Sequence, residues 1–178
     1  MQQVLIIGST SKPFNDQYLM EVNLVGEYFA KEGYDLLYSN PSDFMNGVIQ
    51  TFHQNNRNVT MITHEDNWIY PFSRSLNLSG CICMQEKPSV VVFMPDGVHS
   101  LALFFRMLEK KKNHEIDMPL ILYNSNHFFD PILTMIEQVH SKGFEENEIH
   151  QLYHLVKNIQ ELDDYLISVN HKKILEKK

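Results

Sequence analysis

Short apolar segments alternate along the whole chain with segments in which apolar residues recur every three or four positions. The short segments predict β-strands at residues 4–7, 35–38, 58–63, 90–94, 119–123 and 152–156. The clearest of them is residues 90–94, five consecutive apolar residues of which three are β-branched. Near-continuous apolar strands of this kind are typical of a sheet that is buried on both faces.

The intervening segments predict helices, because their apolar residues fall at helical spacing. The predicted helix faces are Tyr18, Val22, Val25 and Phe29; Phe44, Val48 and Phe52; Ile132, Met135, Ile136 and Val139; and Ile159, Leu162, Leu166 and Val169. Gly33 and Gly143 follow two of these segments, where helix C-caps are expected. A polar, aromatic-rich stretch at residues 64–79 interrupts the alternation, and we interpret it as a loop that covers a cleft.

One-for-one alternation of strands and helices predicts an α/β fold, a three-layer, doubly wound parallel sheet of six or more strands. No linker or repeat divides the 178 residues, so we expect a single Rossmann-like domain over residues 1–178. Ligands of such sheets bind beyond the carboxyl ends of the strands, where the winding direction reverses. The turns that follow the predicted strands are therefore the expected site.

Composition and charge exclude several classes of function. The chain has 22 acidic and 15 basic residues, a formal net charge of -7, so it lacks the basic surface that nucleic-acid binding needs. No run of about 18 apolar residues predicts a membrane span, and the amino terminus begins with a strand-like segment. We expect a cytoplasmic protein that binds neither nucleic acid nor membrane. Cys81 and Cys83 lack the partners of a zinc site, and we interpret them as small buried side chains.

Seven glycines in 178 residues is a low number, and it matters because phosphate-binding turns depend on glycine where backbone approaches the ligand. Gly26, Gly33 and Gly143 fall in or just after predicted helices, which leaves Gly8, Gly47, Gly80 and Gly97 for the turns and the approach to the site. A glycine-rich phosphate cradle is therefore not expected.

Several segments resemble the lysine-decarboxylase-like, or LOG-type, Rossmann family over nearly the whole length of the chain. The similar segments are Ile6-Ile7-Gly8-Ser9-Thr10, residues 38–46, Pro95-Asp96-Gly97-Val98-His99-Ser100, residues 118–123, residues 128–133, and Gln160-Glu161-Leu162. The resemblance implies the Rossmann-like fold and a homodimer. It also implies cleavage of nucleoside 5'-monophosphates at the N-glycosidic bond, with no cofactor.

The resemblance also marks where this chain departs from the family. The family's Pro-Gly-Gly-x-Gly-Thr turn lies opposite Pro95, and Asp96 and His99 replace two of its glycines. A carboxylate there repels phosphate. The family's catalytic glutamate falls at Leu103, and its catalytic arginine falls at Gly80, with Arg74 nearby in the sequence.

These departures predict a catalytically degenerate LOG-like protein that binds a nucleoside- or nucleotide-like ligand, or a protein partner, in a regulatory role. The ligand-binding residues that we expect are Gly8, Ser9, Ser39, Asn40, Asp96, Gly97, His99, Ser100 and Asn124. Asp96 and Asn124 suit ribose hydroxyls or a base edge, but they suit the capping of the following helices as well.

The alternative is a nucleoside 5'-monophosphate phosphoribohydrolase with rearranged catalytic residues, using pairs such as His99 with Asp96 or His64 with Glu65. Whether any enzymatic activity remains is therefore open. We expect no metal site among the histidines of these turns, His127 included, because no two of them show helical ligand spacing.

The segment at residues 100–108 is apolar nearly all round, so one sheet cannot cover it. We expect this segment, from Ser100 onward, to form both a core face and a homodimer interface. The alternative is that neighbouring helices and the long loop cover it within one chain.

Overall fold

The computed structural model describes residues 2–8, 16–38, 43–61, 88–144 and 149–175. Six strands form one sheet: β1 (Gln3–Ile7), β2 (Asp35–Tyr38), β3 (Val59–Met61), β4 (Val90–Phe93), β5 (Leu120–Tyr123) and β6 (His154–Val156). Their order is β3-β2-β1-β4-β5-β6, and every neighbouring pair is parallel. The chain winds outward from β1 to β3 and then, on the other side of β1, from β4 to β6. The doubly wound α/β sheet predicted from the sequence is confirmed.

Five α-helices lie in the described residues: α1 (Asp16–Lys31), α2 (Asp43–Gln54), α3 (Val98–Lys112), α4 (Asp130–Ser141) and α5 (Ile159–Leu175). Two short 3₁₀ turns, Ser125–His127 and Ile149–Gln151, precede α4 and β6. Residues of α1, α2 and α5 pack on one face of the sheet, and residues of α3 and α4 pack on the other. In the described part of the chain, none of these helices is long and apolar enough to cross a bilayer.

The strands divide their side chains between two separate cores. Val4 and Ile6 of β1 pack with the α1, α2 and α5 side, whereas Leu5 and Ile7 pack with the α3 and α4 side. The same alternation holds in β4 and β5, as expected for a strand period of two. Because both faces of β1, β4 and β5 are covered, the sequences of these strands are nearly continuous runs of apolar residues.

Helices α1 and α2 pack closely through a glycine. Gly26 of α1 is buried, and a Cβ added there would lie 2.9 Å from Cγ1 of Val48 on α2. Val48 and Phe52 of α2 and Val22, Val25 and Phe29 of α1 are buried, which confirms these predicted faces.

Some predicted details differ from the structure. Strands β3 and β5 begin one residue later than predicted, β6 begins two residues later, and β4 ends one residue earlier. Helix α3 extends beyond the predicted segment 100–108 in both directions. Met135, predicted on the core face of α4, is 47% exposed, whereas Ile136 is buried. Met135 lies at the margin of the face that Ile132, Ile136 and Val139 share at 3.6 residues per turn, so the sheet does not reach it. The predicted loop at 64–79 and both cysteines lie outside the described residues.

Candidate functional site

The winding direction reverses between β1 and β4, and this point gathers several of the predicted site residues. Ile7 at the end of β1 pairs with Phe93 at the end of β4, and the Met94 amide donates to the Ile7 carbonyl oxygen at 2.8 Å. Gly8 and the turn that contains Asp96 therefore leave the sheet side by side. Asn124 follows the neighbouring strand β5 at the same edge. Ser9, Ser39 and Asn40, also predicted here, lie outside the described residues.

Asp96 lies just before the amino terminus of α3. The hydroxyl of the buried Ser100 donates a hydrogen bond to its carboxylate. The amino terminus of a helix attracts anions because its first amide groups have no partner within the helix. Asp96 places a negative charge of the protein itself at this position. A phosphate approaching the turn would meet that charge, and the two would repel each other.

The backbone of this turn also lacks the conformation for which glycine is needed. Gly97, the N-cap of α3, has φ -76° and ψ -171°, which is extended, and a Cβ added to it would meet no atom within 4 Å. His99 lies inside the first turn of α3 and is half-buried. Its φ is not among the positive values of the described residues. His99, which the resemblance places at a glycine of the family turn, therefore lies in a regular helix.

Leu103, the position at which the resemblance places the family's catalytic glutamate, is part of the core. It is 6% exposed and packs in the apolar cluster that includes Phe93, Phe104 and Met107. No carboxylate occupies this position, so the acid expected from the family mechanism is missing there. The described residues do not include Gly80, where the family's catalytic arginine falls, or Arg74, which is nearby in the sequence. They do not include His64 and Glu65 either.

Asn124 organises the turn between β5 and α4. Its side chain is 3% exposed; its amide oxygen accepts from the Phe129 N–H at 2.8 Å, and its amide nitrogen donates to Asp130 Oδ1 at 2.7 Å. The hydrogen bond from Asn124 holds the pKa of Asp130 below its ordinary value, and His127, 2.9 Å away, adds to this effect. Both polar atoms of the Asn124 side chain therefore bond to residues at the start of α4.

The structure adds residues to this edge that the sequence did not single out. Gln17 of α1 donates to Asn126 Oδ1 at 3.2 Å and to Glu21 Oε1 at 3.3 Å, which joins α1 to the turn after β5. The other carboxylate oxygen of Glu21 and the hydroxyl of Ser125 are buried and have no hydrogen-bond partner in the described part of the structure. Such buried polar atoms are rare and call for a partner.

The backbone of the turn after β5 also has an unusual conformation. Asn126 and His127 both have positive φ, 48° and 61°. Two consecutive non-glycine residues in the left-handed region are uncommon, and such strain concentrates at functional sites. We define the candidate cleft by Gly8 at the end of β1, the turns after β4 and β5, and the Gln17 and Glu21 side of α1. In the sequence, the only indication that Gln17 and Glu21 of α1 belong to this site was their i, i+4 spacing. That spacing is common on helix surfaces.

Comparison with known proteins agrees with this fold. A family model described as possible lysine decarboxylase matches residues 82–166, just under half of the chain. No curated protein sequence matches significantly.

Solved structures match over nearly the full length. The molybdenum cofactor carrier protein of Chlamydomonas reinhardtii is 12% identical with a TM-score of 0.62, and the match covers 96% of this chain and 99% of that one. A structural-genomics target named TM1055 is 14% identical with a TM-score of 0.65, over 94% and 99% of the two chains. The molybdenum cofactor binding protein of Rippkaea orientalis is 13% identical with a TM-score of 0.55, over 95% and 98%. At these identities the likeness shows the shared fold.

The fold and the cleft define a Rossmann-like α/β protein with its candidate site at the switch point of a parallel sheet. The family match and the structural neighbours confirm the lysine-decarboxylase-like, LOG-type resemblance expected from the sequence.

Proposed function

We propose that this chain is a catalytically degenerate LOG-like protein that binds a small nucleoside-like ligand in the candidate cleft and acts in a regulatory role. The observation that carries the proposal is the position of Leu103, whose side chain fills the core where the family mechanism requires a carboxylate. Without that group, the departure of the base lacks its acid or its stabilising charge.

The charge of the cleft supports a ligand without a phosphate. Asp96 places a carboxylate at the amino terminus of α3, and Glu21 brings a second carboxylate to the adjoining wall. Carboxylate oxygens accept hydrogen bonds, so they favour ligands that offer N–H or O–H groups, such as the edge of a heterocyclic base or ribose hydroxyls. A nucleoside fits this set of groups better than its 5'-monophosphate.

The buried oxygens at the same edge support a polar ligand with several donors. Glu21 Oε2 lacks a partner among the described residues and would accept a donor from the ligand, and the Ser125 hydroxyl can donate or accept. Satisfying such a buried atom contributes to affinity because leaving it unpaired costs about 1–3 kcal/mol. The neighbours that are named for the molybdenum cofactor make that cofactor a second ligand to include in the test.

A thermal-shift screen followed by calorimetry tests the proposal. The panel holds nucleosides, their 5'-monophosphates and the molybdenum cofactor, each added to the purified full chain. We expect a nucleoside to raise the melting temperature more than its monophosphate does. A ligand at 100 times its Kd stabilises the fold by about 2.7 kcal/mol, so the shift is easily measured.

Two variants sharpen this screen. Glu21→Gln keeps the size of the side chain and removes its charge, and we expect it to weaken nucleoside binding. Asp96→Gly removes the charge at α3, and we expect it to improve the binding of the monophosphate relative to the nucleoside. Equal binding by wild type and both variants would contradict a site in this cleft.

An activity assay separates the degenerate protein from the alternative, a phosphoribohydrolase with rearranged residues that include His99 and Asp96. Wild-type protein is incubated with nucleoside 5'-monophosphates, and free base is measured. We expect no release above the uncatalysed rate. Release at enzymatic rates that His99→Ala or Asp96→Ala abolishes would establish the enzyme instead.

We also propose a homodimer through α3. Leu103, Phe104, Met107 and Leu108 face the core, but Val98 is 82% exposed, Ala102 is exposed, and Leu101 and Phe105 are only partly buried. Burying this apolar strip against its copy would remove it from water. Light scattering should give the mass of a dimer for wild type and of a monomer for Ala102→Glu. A wild-type monomer would refute this assembly.

A further inference from the structure

A cluster of three potential metal ligands lies at the opposite end of α4 from the candidate cleft. Helix α4 begins at Asp130, beside Asn124, and Glu137 and His140 lie in its last two turns. The 3₁₀ turn Ile149–Gln151 brings His150 against them just before β6. The cluster is therefore separate from the residues that form the cleft.

The distances within the cluster are close to those of a metal site. One ligand atom from each of the three side chains lies within 4.8 Å of the other two. His150 Nε2 is 3.1 Å from Glu137 Oε2. Two ligand atoms on one tetrahedral zinc ion are roughly 3.3 Å apart, since each bond measures about 2.0–2.2 Å. Small side-chain rotations therefore suffice to bring all three atoms around one ion.

The two imidazole rings lie in edge-to-face contact. The rings of His140 and His150 are 5.6 Å apart between centroids and inclined at 80°, so neither ring covers the other face to face. His150 Nδ1 lies 3.4 Å from the hydroxyl of Tyr153. When a metal ion replaces the proton that Nε2 shares with Glu137 Oε2, the Tyr153 hydroxyl can accept from Nδ1–H, which leaves the Nε2 lone pair for the ion. This is the usual arrangement behind histidine ligands of metals.

The geometry points to a three-ligand site for a divalent transition-metal ion of the zinc class, formed by Glu137, His140 and His150. Two imidazoles and one carboxylate suit zinc and its neighbours in the first transition series, whereas magnesium and calcium prefer oxygen ligands alone. The side chains of His150 and Glu137 are 39% and 63% exposed, so water can enter and complete the coordination. The bound ion would join the last turn of α4 to the segment that leads into β6.

Zinc binding by the full chain, measured by competition with a chromophoric chelator, tests this site. We expect one zinc ion per chain, and we expect binding to be lost in His140→Ala and in His150→Ala. His53→Ala, an exposed histidine at the end of α2, serves as the matched control and should bind zinc like wild type. Tyr153→Phe should weaken binding by about 10-fold, because it removes the group behind His150.

Substitution with Co²⁺ identifies the ligands independently of stability. The expected visible spectrum is that of nitrogen and oxygen ligands. A thiolate-to-cobalt charge-transfer band would assign the ion to Cys81 or Cys83 and overturn the proposal. Wild type that binds no zinc, or variants that bind it unchanged while remaining folded by circular dichroism, would overturn it as well.

Discussion

Arg57, just before β3, and Asp35, the first residue of β2, form an ion pair at 3.1 Å. The Asp35 side chain is 4% exposed and also accepts hydrogen bonds from the backbone and the side chain of Asn58. Arg57 Nε donates in addition to the Tyr34 carbonyl oxygen at 3.1 Å. One guanidinium thus holds the outer strands at the end of the sheet opposite the cleft.

Arg57→Ala should lower the free energy of unfolding by about 2 kcal/mol, because it leaves a buried carboxylate with fewer partners. Urea denaturation followed by circular dichroism measures this change. Lys31→Ala is the matched control, since Lys31 pairs with Glu27 on an exposed surface of α1 and should cost at most about 0.5 kcal/mol. Equal losses of unfolding free energy in the two variants would show that the buried ion pair contributes no more to stability than the exposed one.

Gly97→Ala should change the unfolding free energy by less than about 0.5 kcal/mol, because the backbone of Gly97 is extended and a Cβ fits there. Gly33→Ala should cost about 1–2 kcal/mol, because Gly33 has φ +83°. Thermal denaturation of both variants compares them directly. A large loss in Gly97→Ala would mean that the turn retains a glycine-dependent conformation.

Tyr123 makes the stability of the fold depend on pH in the alkaline range. Burial, followed by the charges of Glu21 and Glu161, raises the pKa of Tyr123 from 10.0 to about 12. A raised pKa favours the protonated folded state, so this contribution is complete below pH 10 and is lost as the pH rises towards 12.

Urea denaturation at pH 8 and at pH 11 should therefore show a smaller loss of stability in Tyr123→Phe than in wild type. Burial also raises the pKa of Tyr34, Tyr153 and Tyr165, so part of the loss should persist in the variant. Identical losses in the two proteins would refute the assignment to Tyr123.

Asn124→Ala should lower the free energy of unfolding by about 2 kcal/mol, since it leaves the buried Phe129 N–H without its acceptor. The pKa of Asp130 should rise towards its ordinary value, because the hydrogen bond from Asn124 is the main cause of its lowering. NMR titration of the Asp130 carboxyl measures this shift. His127→Ala provides the comparison, with a smaller rise and little loss of stability.

The sheet could be predicted from the sequence because its strands are apolar on both faces. Val90, Val91 and Val92 are all buried, as expected for a central strand of a parallel sheet that helices cover on both faces. The edge of the sheet at which we place the candidate cleft follows from the parallel topology alone. The register between strands and the margins of the helix faces, such as Met135, depend on tertiary packing and were not accessible in this way.

The finer features of the site could not be predicted, because they depend on contacts between distant parts of the chain. Gln17 and Asn126 are 109 positions apart, and their hydrogen bond forms only when α1 lies beside the turn after β5. Asn126 and His127 are of residue types enriched at positive φ, but residue type alone does not show which asparagine or histidine adopts it. The cluster of Glu137, His140 and His150 has an i, i+3 pair, but its third member depends on where the chain returns to the sheet.

The burial of Leu103 bears on how this protein can change in evolution. A glutamate at that position would place a carboxylate among Phe93, Phe104 and Met107, at a cost on the order of several kcal/mol, comparable to the whole stability of many domains. A glutamate introduced at this position alone would therefore destabilise the fold before it could supply a reactive carboxylate. The apolar side chains around Leu103 would have to change before a glutamate could be accommodated at this position.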